Sequence, residues 1–153
     1  MNMIPSASYP PVAEDESRYI SASPIDVAAL LASAHHPSAG AIVLFSGEVR
    51  NHSNGKTAEY LEYEAHIPLA SKMIREILDS ATSKWQLKIA VAVHRVGKVA
   101  ISESAVVVIT ATSHREEAYA ANRYIIDRIK HEAPIWKREY FDDGSSEWGK
   151  NSS

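Results

Sequence analysis

Lys130-His131-Glu132-Ala133-Pro134-Ile135-Trp136-Lys137-Arg138-Glu139 is the segment from which the fold is read. Proline has no amide hydrogen to donate, and its ring drives the preceding residue out of the helical region. A helix must end before Pro134, with Lys130 in its last turn, and an extended segment must follow. On a strand beginning at Ile135, Lys137 shares a face with Ile135 and Glu139, while Trp136 and Arg138 point the other way. Two cations thus arrive from two elements, and an anionic substrate is the partner they suggest. Each lysine alone also fits an ordinary helix end or strand surface; the pair, together with Arg138, is what points to a site. A lysine flanked by Trp136 and inward neighbours loses solvation, which lowers its pKa and suits acid–base or amine chemistry.

Working back from this junction, Ser113-His114-Arg115-Glu116 opens the helix as a capping box, with Ser113 at the N-cap. Ala118, Ala121, Ile125 and Ile129 then face a sheet, with Tyr119, Ile126 and Lys130 on a neighbouring face. Ala105 to Thr112 and Leu87 to His94 read as strands, with Val96 to Glu103 as their connection. Pro68 begins another long helix, whose stripe is Leu69, Met73, Ile77 and Ala81, widened by Ile74 and Leu78. Ala58 to Glu64 alternates as a half-exposed strand. The continuous apolar run in Ala39 to Val49 predicts a strand buried on both faces. A short helix opens at Ser23-Pro24, with Ser23 as N-cap. Ile135 to Phe141 is the last strand, followed by a polar tail. The order strand-strand-helix-strand-strand-helix-strand predicts an α+β fold, two long helices packed on a mixed sheet.

Composition bounds the function. The chain has 153 residues, 45% apolar and 23% charged, which suits one compact domain. Its formal net charge of −3 argues against broad nucleic-acid binding. No apolar run reaches the roughly 18 residues of a membrane span. Residues 1–17 are rich in Pro, Ser and Ala and lack the pattern of a secretory or transit peptide, so a disordered tail is expected there. The domain is expected over residues 18–148, with a C-terminal tail at 149–153. The absence of cysteine removes disulfides, thiolate metal sites and thiol nucleophiles, and fits a reducing, cytoplasmic setting.

Other clusters could carry chemistry. His114 and Arg115 lie at a helix N-terminus, where cations are unfavourable by about 0.3–1 kcal/mol each unless an anion is bound. The alternative is a surface helix neutralised by Glu116 and Glu117. Arg50, Asn51 and His52 follow a buried strand, where side chains emerge into a crevice; the alternative is a solvated turn. Gly55-Lys56-Thr57 lacks the first glycine of a phosphate-binding loop, which is Arg50 here. There is no Gly-x-Ser-x-Gly elbow, and the histidines lack metal-ligand spacing. No metal and no cofactor are expected.

The blocks Gly40 to His52, His94-Arg95-Val96-Gly97, Ser113-His114-Arg115 and Lys130-x-x-x-Pro134-Ile135-Trp136-Lys137-Arg138-Glu139 resemble, in order, the catalytic subunit family of molybdopterin synthase. The resemblance implies an α/β-hammerhead fold and a homodimer within a heterotetramer, each large subunit holding a small ubiquitin-like sulfur carrier with a Gly-Gly thiocarboxylate. The implied reaction converts cyclic pyranopterin monophosphate (precursor Z) to molybdopterin by inserting two sulfurs as a dithiolene, a step of molybdenum cofactor biosynthesis. Lys130 and Lys137 match the family's catalytic lysines, with Lys137 in acid–base or covalent work and Lys130 holding the carrier carboxylate or substrate as one division of labour. Glu48, Val49, Arg50, His114, Arg115, Lys130, Lys137, Arg138 and Glu139 match substrate-binding positions, some contributed across the dimer. A docking module without turnover and an unrelated phosphate-ester enzyme remain as other classes. The C-terminal segment after Trp148 departs from the family pattern, with Lys150 its one basic residue.

Overall fold

In a computed structural model, residue 12 and residues 15–151 are described. Nine strands and three helices appear among them: β1 (Ile20–Ser21), α1 (Val27–Ala32), β2 (Ala41–Glu48), β3 (His52–Ser53), β4 (Lys56–Ala65), α2 (Ile67–Trp85), β5 (Ile89–Arg95), β6 (Gly97–Ala100), β7 (Ser104–Thr112), α3 (Arg115–Glu132), β8 (Ile135–Phe141) and β9 (Ser146–Lys150). One sheet has the order β1-β5-β7-β2 and is mixed, since β1 runs parallel to β5 and the other pairs are antiparallel. The other has the order β3-β4-β8-β9, with β6 pairing further along β4 on the side away from β8. The architecture is the expected α+β arrangement of helices on a mixed sheet.

β7 is the centre of the first sheet and is buried at every position. Its alternation serves two layers. Val106 and Val108 enter the main core with Ile74, Ile77, Ile125 and Ile129 of the long helices. Val107 and Ile109 face a smaller core closed by α1 through Val27 and Leu30. Both long helices therefore lie on one side of this sheet. Asn122 of α3 ties that side together, its amide donating to the Val43 and Val108 carbonyls at 3.1 Å each.

Several expectations are corrected. β2 is not buried on both faces: it ends the sheet, none of its residues is fully buried, and Phe45 is exposed. A continuous apolar run identifies a strand but not its place in the sheet. The first helix starts at Val27 with Asp26 as N-cap, accepting from the Ala29 amide at 3.0 Å, because Ser23 is already tied into a turn with the Ser21 hydroxyl. In α2 the buried stripe runs through Ile67, Ala70, Ile74, Ile77 and Ala81, which leaves Leu69 exposed. At α3 the N-cap is His114, with no side-chain cap, and the Ser113 hydroxyl turns instead to the Ser38 carbonyl. The connection expected between β5 and β7 contains β6, and the polar C-terminal segment contains β9. β9 hides from periodicity because it is an exposed edge strand, returned along β8 by a turn at Gly144 with φ of 85°. Gly149 and Lys150, read as tail, pair with Lys137 and Trp136. Of the expected N-terminal tail, residues 1–11, 13 and 14 lie outside the described residues, and Asp15 to Ser17 form part of a turn before β1.

Gly40 leads into β2 where the chain passes tightly over the end of β7, donating its amide to the Thr112 carbonyl at 2.9 Å. A Cβ there would collide with the Ser113 carbonyl oxygen, and a backbone oxygen at that place cannot rotate away. Gly40→Ala is expected to destabilise the fold by about 1–3 kcal/mol, the usual scale of overpacking. Urea unfolding checks it, and an unchanged midpoint would contradict the close approach.

Candidate active site

The break at Pro134 behaves as the sequence requires. α3 ends at Glu132, Ala133 is extended with ψ of 136°, and β8 begins at Ile135. β8 then pairs with β4 so that Tyr63 lies opposite Lys137 and Leu61 opposite Glu139. On its other side Gly149 of β9 lies opposite Lys137, where even a Cβ would meet open space. Lys137 consequently rises from a strip with a tyrosine on one flank and a gap on the other. Lys130 enters from the last turn of α3, and both lysines line one cavity of about 670 Å³.

The second wall comes from the end of β2. A register shift between Gly47 and Glu48 skips one residue of β7, so that Glu48 lies opposite Ser104 as the pairing ends. Backbone hydrogen bonds between Val49 and the Ser102–Glu103 turn then hold Glu48, Val49 and Arg50 at the cavity rim. Glu147 and Trp148 of β9 complete that rim.

The electrostatics are uneven. Lys137 forms an ion pair with Glu139 at 3.5 Å, both side chains mostly buried. The second Glu139 carboxylate oxygen, Oε2, is buried without a hydrogen-bond partner. Burial, and then the positive charge of Lys137, lower the Lys130 pKa to about 8. Tyr63 is pushed up to about 12 by burial and then by the Glu139 carboxylate. Behind Lys130, His94 is fully buried and burial pulls its pKa down to about 4. His94 therefore stays neutral, with Nδ1 donating to the Arg95 carbonyl at 2.8 Å and Nε2 left to accept from the Asn151 amide at 2.8 Å.

Not every expected site residue meets here. Glu48, Val49, Arg50, Lys130, Lys137 and Glu139 line the cavity. Arg138 does not: it stacks on the Tyr140 and Trp148 rings across the opposite face of β8 and donates to Ser146 Oγ at 3.0 Å. His114 and Arg115 lie at the other end of α3, roughly 22 Å from Lys130 at 1.5 Å per residue. Within one chain they cannot touch a ligand held by both lysines. Tyr63, His94 and Asn151 were not among the expected site residues. Alternation along β4 could have placed Tyr63 beside Lys137, whereas nothing local in the sequence marks Asn151.

The model of the MoaE protein family matches residues 20–132. This chain belongs to the MoaE family. The match takes in Arg50, His114, Arg115 and Lys130 and stops short of Lys137. A Staphylococcus carnosus relative, named molybdopterin synthase catalytic subunit, is 47% identical over 113 residues, 74% of this chain and 75% of the relative. The crystal structure of molybdopterin synthase from Staphylococcus aureus matches with a TM-score of 0.81 and 41% identity, over 87% of this chain and 96% of that one. A Helicobacter pylori structure described as a complex of subunits 1 and 2 of molybdopterin-converting factor shares the fold at a TM-score of 0.70 and 22% identity, over 88% of this chain and 91% of that one.

Burial of neutral His94 makes stability depend on pH. Its folded pKa of about 4 lies below the ordinary histidine value of 6.5, so below 6.5 the unfolded chain binds the extra proton. The stability that His94 contributes is whole above pH 6.5 and lost as pH falls towards 4, by roughly 3 kcal/mol. Denaturant unfolding between these values should show the decline, and His94→Gln should flatten it.

Proposed function

We propose that this chain is the catalytic subunit of a molybdopterin synthase, acting on cyclic pyranopterin monophosphate with sulfur delivered by the C-terminal thiocarboxylate of a small ubiquitin-like carrier. The observation that carries the reading is the convergence of Lys130 and Lys137, from α3 and β8, in one open cavity with Arg50 at its rim, in a member of the MoaE family. The name of the Helicobacter pylori complex supports a two-subunit assembly.

The chemistry asks for what this cavity offers. A thiocarboxylate sulfur that replaces an oxygen on a substrate carbon, the carbon–oxygen bond breaking and the oxygen leaving as water or staying on the freed phosphate, joins carrier and substrate as a thioester. Water must then attack the acyl carbon, breaking the carbon–sulfur bond to the carrier and leaving the sulfur on the substrate. That water has to lose a proton, and the charge building on the acyl oxygen needs a cation beside it. With a pKa of about 8, roughly one Lys130 in ten is neutral at pH 7 and able to take a proton. Lys137, paired with Glu139, is the ammonium that holds the carboxylate end of the carrier and the developing oxyanion. In this division Lys130 moves the proton and Lys137 supplies the charge, the reverse of the one first drawn from the resemblance. Arg50 and the Glu48–Val49 backbone meet the pterin phosphate at the rim, and Glu139 orients Lys137. Arg138 contributes from the outer face, bracing β9 through Ser146.

His114 and Arg115 join the site from a second copy of the chain. Within one chain they are too remote, and β2 offers an unpaired edge with partly exposed apolar side chains on which a second copy could pack. The assembly is then a homodimer of this chain with one carrier per subunit. Among the described residues no helix is long and apolar enough to cross a membrane, and we place the reaction in the cytoplasm.

The test is a reconstitution of this protein with thiocarboxylated carrier and precursor Z, assayed for molybdopterin. Lys137→Ala should abolish turnover while the protein still folds and binds the carrier; near-normal rates would remove Lys137 from the chemistry. Lys130→Ala should be severely impaired, and the wild-type kcat should rise with pH through about 8 as Lys130 becomes neutral. Carrier binding with no product would instead favour a docking module.

Mixing Arg115→Ala with Lys137→Ala protein in equal amounts should restore about a quarter of the wild-type rate, because about half of the dimers are mixed and each of those rebuilds one intact site of two. If neither variant rescues the other, His114 and Arg115 do not act across the dimer.

A further inference from the structure

Asn151 follows β9 and is buried to 1% exposure, although it is polar and near the end of the chain. Its backbone amide reaches the Ile135 carbonyl at 3.3 Å, which carries the chain back towards the start of β8. Its side chain bridges His94 and Lys130, with Nδ2 2.8 Å from His94 Nε2 and Oδ1 accepting from Lys130 Nζ at 3.2 Å. An asparagine amide can be turned either way round, and here its orientation follows from the histidine. The Arg95 carbonyl accepts only, so His94 Nδ1 carries the proton and Nε2 presents a lone pair. That lone pair demands the NH2 end of Asn151. The carbonyl end is then left facing Lys130.

We propose that Asn151 is a positioning residue for Lys130: an amide locked by neutral His94 holds the Lys130 amine by its carbonyl and aims it into the cavity. A fixed acceptor restricts a lysine with four rotatable bonds to one direction. The amide stabilises the ammonium without a negative charge, and so moderates the effect of burial and of Lys137. A carboxylate at the same place would pair with Lys130 and keep it protonated. An apolar residue would leave its direction open. The other ionisable groups that line the cavity with Lys130 are Lys137 and Glu139 on β8, Tyr63 on β4, Glu147 on β9, Glu48 at the end of β2, Arg50 after it and His52 on β3, with His94 on β5 against Asn151. A change at Asn151 alters His94 directly, since its Nε2 lone pair loses the amide donor, and leaves the other groups themselves as they are.

The inference uses the function proposed above only in its activity arm, so its main test does not depend on turnover. The full-length protein would be labelled with acetic anhydride across a pH series, and modification of Lys130 quantified by peptide mass spectrometry in wild type, Asn151→Leu and Asn151→Asp. Only the neutral amine reacts, so the labelling midpoint reports its titration. Asn151→Leu should move the midpoint down by about half a unit or more, and Asn151→Asp up by about one unit or more. Both variants lose the native amide, so a merely structural tether would shift both in one direction or neither, and either result overturns the proposal. Thermal melting shows whether each variant is folded. Should Asn151→Leu fail to fold, His94→Gln, which removes the imidazole that fixes the amide, takes its place with a downward shift expected.

In reconstituted synthase, Asn151→Leu should lower kcat roughly tenfold or more with little change in KM, since a misdirected proton acceptor slows the step and not the binding. Opposite midpoint shifts in the two variants, with no molybdopterin made by the wild-type protein, would uphold the positioning role and overturn the function. Unmoved midpoints with full wild-type activity would do the reverse.

Discussion

The inability of Pro134 to continue a helix is the constraint on which the site depends. It stops α3 while Lys130 is in the last turn and starts β8 soon enough that Lys137 stands on the next element. Pairing of β8 with β4 then decides which way Lys137 faces, because a shift of one residue would turn Lys137 and Glu139 out of the cavity and bring Trp136 and Arg138 in. The position of the cations thus follows from backbone chemistry and strand register before any side-chain interaction is counted.

Bringing two ammonium groups into one cavity is unfavourable, and the surrounding residues relieve this differently for each lysine. Lys137 has a carboxylate at 3.5 Å and Lys130 has a neutral amide at 3.2 Å. The asymmetry separates the two in charge behaviour although they are the same residue type. His94 beside them remains neutral first because it is buried, and Lys130 and Arg95 then both oppose a further positive charge there. Glu139 is mostly buried with one oxygen unsatisfied, a cost that its partner Lys137 offsets on one side only.

Much of the fold was legible. The capping and breaking residues gave both long helices to within a few positions, and the apolar runs identified β2, β5 and β7. What periodicity could not convey was position within a sheet. β2 and β7 carry similar apolar runs, yet one is an edge and the other a centre, because that difference depends on which strands pair across more than fifty residues of chain. β6 and β9 were missed because β6 is only four residues long, with Gly97 and Val99 its buried pair, and β9 is a short exposed edge, so neither has much hydrophobic pattern to show. In the site, the lysines and Arg50 were readable from where elements end. Asn151 was not, because its role exists only when the last strand returns along β8 and brings it behind Lys130.

The central place of β7 also sets an order for biosynthesis. Both of its antiparallel neighbours, β2 and β5, precede it in the chain, so the first sheet cannot close until residues 104–112 have left the ribosome. Until then β2 is an apolar strand with no partner on either edge. β7 itself has no charge and no proline from Ser104 to Thr112, the composition of a segment prone to self-association. Glu103 stands before it and Arg115 soon after it, where charged residues oppose the stacking of one nascent chain on another. Residues that serve as turn and helix start in the finished molecule therefore also guard the chain while it is being made.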